Sequence, residues 1–234
     1  MEQGLLASIS PLDWGALGWF LVAWAGYGWF ADHSRWSRDG LLGTSHRHRQ
    51  DWARQMLRRE MRMTDAALVG NLMQSVSFYA NTTIYIVAGL LAVLGTLDQV
   101  IRFAADLPFA RETSRALWDL KLLLLLTVFV VAYFKFTWSL RQFNLLSILI
   151  GSSPVGTTGE AVEQAAERLA KINSLAGDEF NSGIRAYYFG LAAVAWFIQP
   201  LLFLVVTTVV VIVLYRRDFA SPALAALGGG LRGK

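Results

Sequence analysis

Long stretches of the chain consist of apolar residues without a single charged side chain. Such uncharged runs extend over positions 14–31, 66–97 and 186–215. A helix of roughly 20 apolar residues crosses the hydrocarbon core of a bilayer. Each of the three runs is therefore long enough to form a membrane-spanning helix.

A fourth apolar segment, residues 118–148, contains only three charged side chains besides Asp119, namely Lys121, Lys135 and Arg141. The run LLLLLTVFVVAYF between the two lysines is too apolar for the surface of a soluble protein. The pattern predicts an all-α polytopic membrane protein with four transmembrane helices and short amphipathic cytoplasmic helices. We expect one membrane domain over residues 1–234, with helices at about 12–31, 66–97, 118–148 and 186–215 and cytoplasmic segments at 32–65 and 149–185.

The first of these cytoplasmic segments is rich in arginine. In residues 45–64, Trp52, Met56 and Met63 recur with Arg59 at spacings of three to four, which predicts a basic amphipathic helix on the inner membrane surface. A solvated connector is the alternative interpretation. The lipid bilayer is an expected partner, with anionic lipid contacted through Arg47, Arg49, Arg54, Arg58 and Arg59.

The second cytoplasmic segment contains EAVEQAAERLAKINSLAG, residues 160–177. Its apolar residues fall on one helical face, and Glu167 and Lys171 form an i,i+4 pair on the other. Gly177 is a typical residue for the end of a helix. The sequence therefore predicts a short helix that ends before the last membrane span.

Polar residues recur in the second predicted membrane helix at steps of three and four, so that they share one face. Polar groups in a bilayer need hydrogen-bonding partners, which another helix or water supplies. The face is interpreted either as an interhelical contact or as the lining of a wet pathway. Its members are Asn71, Gln74, Ser75, Asn81, Thr82 and Tyr85.

Two lysines of the third predicted membrane helix lie on one stripe. Lys121, Val128, Lys135 and Gln142 are spaced by sevens, and such residues drift by only about 20° per heptad on a straight helix. If the membrane ends near Trp138, Lys135 is an interfacial anchor whose amine reaches the headgroups. If the span is centred further along the chain, Lys135 is an intramembrane cation with a functional role.

Three further candidate residues lie at predicted helix ends or at a predicted helix break. Gln199 precedes Pro200 inside the last uncharged run, which is typical of the broken helices of transporters and also of structural kinks. Arg141 and Arg185 are expected at cytoplasmic helix ends, where each is predicted to form a structural charge pair. The predicted partners are Asp178 and Glu179.

Composition excludes several classes of protein. With 55% hydrophobic and 16% charged residues, the chain is outside the range of an ordinary soluble domain. The absence of cysteine excludes disulfides, thiolate metal sites, iron–sulfur clusters and cysteine nucleophiles.

The histidines and the common catalytic motifs give no sign of an enzyme. His33, His46 and His48 all lie in the first loop, so no membrane helix offers a histidine pair for haem. An H-x-H near Asp51 in an arginine-rich loop is more typical of polar surface than of a metal site. No phosphate-binding glycine loop, G-x-S-x-G or H-E-x-x-H occurs. We expect no catalysis, no cofactor, no metal and no nucleic-acid partner.

Orientation follows from the lysines and arginines between the predicted helices. The first loop has eight, the second three, the third four and the C-terminal segment four, while none precedes the first helix. With both termini outside, twelve of these residues lie inside and seven outside. This count predicts that both termini lie outside in a multi-pass protein of the cell inner membrane. The pair Arg216 and Arg217 opposes this orientation.

Three stretches carry a family resemblance. These are KFTWSLRQFN, VGNLMQSVSFYANTT and EFNSGIRAYYFGLAAVAWF. Together they resemble the bacterial and plant membrane proteins grouped as domain of unknown function 599, over about residues 12–221. The resemblance implies a four-helix integral membrane protein and implies no established activity.

Three functions are compatible with these patterns. The favoured one is a homo-oligomeric channel or small-solute pathway, with anions as one class of solute, because symmetry would have to build a pore from so few helices. The second is an accessory or scaffold subunit without transport activity, in which the glycines of the first helix are packing positions. The third is a small transporter. The candidate pathway residues are Asn71, Gln74, Ser75, Asn81, Thr82, Tyr85, Lys121, Lys135, Gln142 and Gln199.

Overall fold

The computed structural model describes residues 9–105, 114–153 and 159–228. Within these ranges the chain is helical and has no strand, which confirms the all-α prediction. Residues 1–8 and 229–234 of the predicted domain, and with them Arg232, Lys234 and also Arg111 of the charge count, lie outside the described residues.

Eight α-helices make up most of the described chain. Two short 3₁₀ turns, Arg35–Arg38 and Ala195–Phe197, connect some of them. The helices are α1 (Pro11–His33), α2 (Leu41–Leu57), α3 (Met63–Gly95), α4 (Leu97–Ala105), α5 (Arg115–Ser152), α6 (Glu160–Val194), α7 (Pro200–Phe219) and α8 (Pro222–Ala226).

Several helices begin at residues suited to that position. The hydroxyls of Ser10, Ser114 and Ser221 accept hydrogen bonds from backbone N–H groups three residues later, which satisfies donors at the starts of α1, α5 and α8. Proline occupies the first position of α1, α7 and α8, where its missing N–H is not needed.

The antiparallel pair α5 and α6 forms the centre of the molecule. The ring of Phe136 packs against Gly183, where an added Cβ would lie 2.5 Å from it. Seven residues along each helix, Phe129 packs against Gly190 in the same way. The Ser139 hydroxyl donates to the carbonyl of Ala176 at 2.7 Å. Glycines on α6 thus allow aromatic rings of α5 to approach its backbone.

Helix α3 packs along the same pair. The ring of Tyr79 stacks on Phe136 with centroids 5.5 Å apart, and Thr83 and Tyr187 share a hydrogen bond of 2.8 Å. Val69 and Val76 are buried on the same face of α3. One face of α3 therefore belongs to the core of the bundle.

Helices α1 and α7 run parallel to each other on the other side of α6. Their contacts follow the chain in the same order, from the Phe20 and Phe203 rings at 5.1 Å to the Tyr27 hydroxyl, which donates to Asp218 at 2.5 Å. The Trp19 indole also donates to Thr208 at 3.1 Å. The chain must therefore reverse its direction directly before α7, so that α7 can run parallel to α1.

The reversal occurs inside the last uncharged run, so the predicted single helix at 186–215 is wrong. Helix α6 continues through Gly177, the predicted helix end, and extends from Glu160 to Val194. After the turn at Gln199, α7 returns antiparallel to α6, with the Trp196 and Phe203 rings stacked 5.0 Å apart. The last uncharged run is therefore a helical hairpin.

Three described helices are long and apolar enough to cross a membrane, not the four predicted. These are α3, α5 and the helix that begins at Pro200. Helix α1 is long enough, but four tryptophans and four glycines lower its mean hydropathy. Tryptophan is typical of membrane interfaces as much as of the hydrocarbon core. The structure therefore supports membrane association without the four-span count.

The two described ends of the chain lie at opposite ends of the bundle, whereas the sequence predicted both on one side. Near the start of α1, Asp13 accepts a hydrogen bond of 2.8 Å from Trp196 at the hairpin turn. At the other end, Phe219 packs against Gly40 beside α2, and His48 lies 3.2 Å from the carbonyl of Leu227. The additional reversal at the hairpin explains the difference.

Candidate functional site

The polar residues of α3 lie on its exposed side. Val69, Val76 and Thr83 are buried against the bundle, whereas Gln74 and Asn81 are exposed. Asn71 and Ser75 are exposed as well, Thr82 is half-buried, and Tyr85 is 77% exposed. The shared face inferred from the sequence is therefore a surface of the single chain and not a contact inside its bundle.

Hydrogen bonding divides this face into two kinds of residue. The hydroxyls of Ser75 and Thr82 donate to carbonyls of their own helix, at 3.0 and 2.8 Å. The side chains of Gln74, Asn81 and Tyr85 make no hydrogen bond to any other residue in the described ranges. Two amides and a phenol thus remain without partners on one surface of a candidate membrane span.

The unpartnered groups follow the spacing of a helix–helix contact. With Asn71 and the 65% exposed Phe78, they form the series 71, 74, 78, 81 and 85, in which steps of three and four alternate. This repeat of about 3.5 residues keeps a seam facing a neighbouring helix over several turns. We call these five residues the α3 seam.

Lys121 lies inside the bundle and Lys135 is half-buried on α5, so neither lysine is part of the α3 seam. Lys121 is 4% exposed, and its amine lies 5.7 Å from the centre of the Trp196 ring. The Lys135 amine forms an ion pair of 2.9 Å with Glu179 on α6. Neither cation faces the polar residues of α3, so the structure does not bring the two predicted stripes together.

The remaining charge pairs differ in partner from those predicted. Arg185 donates to Asp32 at 2.7 Å and to Ser182 at 2.8 Å, not to Asp178 or Glu179. Asp178 instead lies 3.0 Å from His46. Arg141 stacks over Trp138 at 5.4 Å. The contact between Asp32 and Arg185 holds α1 against α6, and the contact between His46 and Asp178 holds α2 against α6.

The two other glutamines of the predicted pathway are far apart. Gln142 is 8% exposed, and its side-chain oxygen is buried without a hydrogen-bond partner. Gln199 is exposed at the hairpin turn and has an extended backbone. It therefore marks a reversal of the chain and not a break in the middle of a span.

The basic helix α2 packs against α6 and does not stand alone at a membrane surface. Several arginines of α2 and of the residues directly after it are engaged: Arg54 pairs with Asp51 and Glu163, and the Arg59 guanidinium lies 2.6 Å from the buried Asp65. Arg47 donates to Thr44 at 3.0 Å, whereas Arg58 is exposed. Contact of these arginines with anionic lipid stays a prediction.

A cavity of about 460 Å³ lies where α2, α3, α5 and α6 meet. Its polar groups come from α2, α3 and α6, and the rest of its wall is apolar. The residues that line it are Arg49, Trp52, Leu68, Val69, Asn71, Leu72, Ser75, Val76, Phe143, Asn173, Gly177, Phe180 and Asn181.

Sequence reasoning did not select Asn173 and Asn181 as site residues. A signal existed, because Asn173, Gly177 and Asn181 are spaced by four and so share one helical face. The helix end predicted at Gly177 places Asn181 outside that helix. Because α6 is continuous through Gly177, Asn173 and Asn181 lie on the same face of one helix.

Comparison with known proteins identifies the family of the chain. The family model described as "Protein of unknown function, DUF599" matches residues 15–223. No curated protein and no solved structure matches the chain. The match covers most of the 234 residues and confirms the resemblance found in the sequence. The chain belongs to the DUF599 family, whose function is not known.

Proposed function

We propose that the protein is a homo-oligomer of the membrane, whose copies meet along the α3 seam and let a small polar solute pass between them. The observation that supports this proposal is the set of unpartnered groups on Gln74, Asn81 and Tyr85. In hydrocarbon, an unsatisfied polar group costs several kcal/mol. A seam of such groups is stable only beside a partner or water.

A second copy of the chain fits the chemistry of the seam. An amide side chain both donates and accepts hydrogen bonds, so it can pair with the same residue of another copy. A symmetry axis along the membrane normal brings equivalent residues together. Asn71 and Tyr85 are separated by about 21 Å at the rise of an α-helix, so the seam extends through much of a bilayer.

The solute proposed is uncharged. An anion pathway between copies would need cationic side chains along it, and the sequence offers Lys121 and Lys135 for that role. Lys135 is instead paired with Glu179, and Lys121 is covered by Trp196. The seam itself offers amides and a phenol, which suit water or a small hydroxylated solute.

For topology, we propose that the α2 end faces the cytoplasm and that α1 also lies in the inner membrane beside α7. Arg216 and Arg217 lie near the end of α7, at the α2 end of the bundle. The pair that opposed the predicted orientation then agrees with the excess of positive residues inside. The first described helix begins outside and α8 lies inside.

Solute flux tests the proposed pathway. Proteoliposomes containing the protein should take up glycerol faster than empty liposomes, as measured by stopped-flow light scattering. Asn81→Leu should lower the glycerol rate several-fold, because it removes an amide from the seam. Thr127→Leu is the control, since Thr127 is exposed on α5 and its hydroxyl bonds to Leu123 of its own helix.

Lys135→Met should also leave glycerol flux unchanged, because the lysine is not part of the seam. A rate equal to that of empty liposomes for the unaltered protein would contradict the proposal. So would equal rates for Asn81→Leu and the unaltered protein when both are correctly assembled.

The alternative is an accessory subunit, in which another membrane protein covers the α3 seam. Exposed glycines of α1 favour a further contact, since an added Cβ at Gly15 or Gly18 would meet nothing within 4 Å. They are therefore not packing positions within the chain. Native mass spectrometry after gentle extraction distinguishes the two cases: a closed homo-oligomer supports the pathway, and one copy with other membrane proteins supports the accessory role.

A further inference from the structure

Arg49 is the most unusual group of the cavity between α2, α3 and α6. Its Nη1 atom is buried and has no hydrogen-bond partner. Burial lowers the pKa of Arg49 from its ordinary value, and the carboxylate of Asp178 opposes that shift. A guanidinium nevertheless keeps its charge in proteins. The cavity therefore contains a half-buried guanidinium with one buried, unused donor.

The protein itself does not neutralise this donor. The negative charge of Asp178 acts on Arg49, but the close contact of this carboxylate is with His46, at 3.0 Å. Arg54 of α2 and Arg59, which follows that helix, have their acidic partners elsewhere. Removing a charge from water without a partner is unfavourable, so an anion in the cavity would stabilise this arrangement.

Gly177 allows the guanidinium to reach its position. A Cβ at this residue would overlap the guanidinium of Arg49. Beside it, Asn173 and Asn181 offer amide groups to the same cavity from α6, and Asn71 and Ser75 offer polar groups from α3. Amides and a guanidinium are donors suited to the oxygens of a phosphate or carboxylate.

The rest of the wall suits a hydrocarbon chain. Leu72, Val76, Phe143 and Phe180 line the cavity and offer no side-chain polar group. Leu68 and Leu72 are 48% and 45% exposed, so the cavity is open along the outer side of α3. Because α3 is a candidate membrane span, this opening faces the bilayer.

Trp52 places the cavity near the membrane surface. Its ring lines the cavity while its indole N–H donates to Asp65 at 2.9 Å, in the first turn of α3. Tryptophan with one polar contact and one apolar side is typical of the headgroup region. A lipid headgroup can therefore reach Arg49 while its acyl chain stays in the bilayer.

We infer that this cavity is a binding site for one anionic phospholipid, whose phosphate contacts Arg49 and the amides of α6 and whose acyl chain lies along the apolar wall. The site differs from a diffuse basic surface because the headgroup is bound by a single arginine, whose Nη1 atom is buried. It does not depend on solute passage along the α3 seam.

Lipid binding to the purified protein in detergent tests the inference by native mass spectrometry. The probes are phosphatidylglycerol, phosphatidylcholine with matched acyl chains, and inorganic phosphate. We expect one phosphatidylglycerol per chain, bound about tenfold or more tightly than phosphatidylcholine, because the choline cation of phosphatidylcholine compensates the charge of its phosphate and is repelled by Arg49. Inorganic phosphate should neither bind at comparable concentration nor displace the lipid.

Two variants and a control locate the site. Arg49→Met should reduce phosphatidylglycerol binding to the level of phosphatidylcholine, and Leu72→Trp should weaken it by narrowing the opening. Arg35→Met is the matched control, because Arg35 is exposed in a 3₁₀ turn outside the cavity and has no partner within the described residues. It should leave the preference for phosphatidylglycerol unchanged.

Several outcomes would overturn the inference. Equal binding of the two phospholipids would show that the cavity does not select an anionic phospholipid, and this comparison needs only the unaltered protein. Displacement by inorganic phosphate would make the cavity a site for free anions. An equal loss in Arg35→Met and Arg49→Met would indicate non-specific surface charge, and unchanged binding in a folded Leu72→Trp protein would place the lipid elsewhere.

Discussion

Replacing Gly183 with leucine is expected to destabilise the protein by about 3 kcal/mol, the upper range for overpacking a core. Gly183 lies where the Phe136 ring meets the backbone of α6, and an added Cβ would be 2.5 Å from that ring. Phe136 is fully buried and also contacts Tyr79 and Phe180, so it has no free space to enter. Thermal unfolding in detergent measures the effect.

Gly18→Leu is the control for this substitution. Gly18 also lies inside a long apolar helix, but an added Cβ there would meet nothing within 4 Å. Its replacement should change the free energy of unfolding by less than about 0.5 kcal/mol. Equal stability of the two leucine variants would contradict the close packing of α5 and α6.

Asp32→Asn is expected to destabilise the protein by about 2 kcal/mol, somewhat less than the usual loss when a fully buried ion pair is broken. The substitution removes the negative charge that faces Arg185 at 2.7 Å, while the Arg185 side chain is only 8% exposed. Losing one partner is unfavourable because the other charge remains buried. The expected loss is reduced because the Asp32 side chain itself is 37% exposed. Thermal unfolding at matched detergent concentration measures the difference.

Two further proteins show whether the pair itself is responsible. Asp119→Asn alters an exposed pair with Arg115 at 4.0 Å and should have an effect of less than about 1 kcal/mol. Asp32→Asn combined with Arg185→Met should be less unstable than the sum of the two single variants. Strict additivity would show that Asp32 and Arg185 do not interact.

Uncharged runs were a sufficient signal for part of this fold. The run at 66–97 and the segment at 118–148 correspond to α3 and α5, whose lengths and apolar composition suit a membrane. The regular spacing of polar residues in α3 was equally informative, because helical geometry alone places them on one face. Apolar run length and helical periodicity thus predicted the two helices that each follow a single apolar segment of the sequence.

The last uncharged run shows the limit of that signal. Length and composition cannot distinguish one long span from a hairpin, since both bury an apolar surface. The difference depends on Gln199 and Pro200 and on contacts such as the Trp196 ring on Phe203. Because each reversal changes the end of the bundle at which the chain emerges, the hairpin also separates the two described ends of the chain.

Partners of charged residues were not predictable for a related reason. Asp32 and Arg185 are far apart in sequence, and Lys135 meets Glu179 only because α5 and α6 are antiparallel. Hydropathy predicted Arg141 and Arg185 at helix ends, but both lie in the interiors of the longer α5 and α6, and it could not place either opposite a particular carboxylate. The cavity around Arg49 was missed likewise, since it requires several helices to meet.

Disulfide cross-linking along α3 tests the proposed association of copies most directly, because the chain contains no cysteine of its own. Single cysteines at Gln74, Phe78, Asn81 and Tyr85 should form cross-linked dimers in the native membrane upon mild oxidation. A cysteine at Leu72, which is exposed and lies about 100° or more around α3 from every residue of the seam, should not. Cross-linking that follows the seam is the result we predict, and equal or absent cross-linking at all five positions would contradict association through α3.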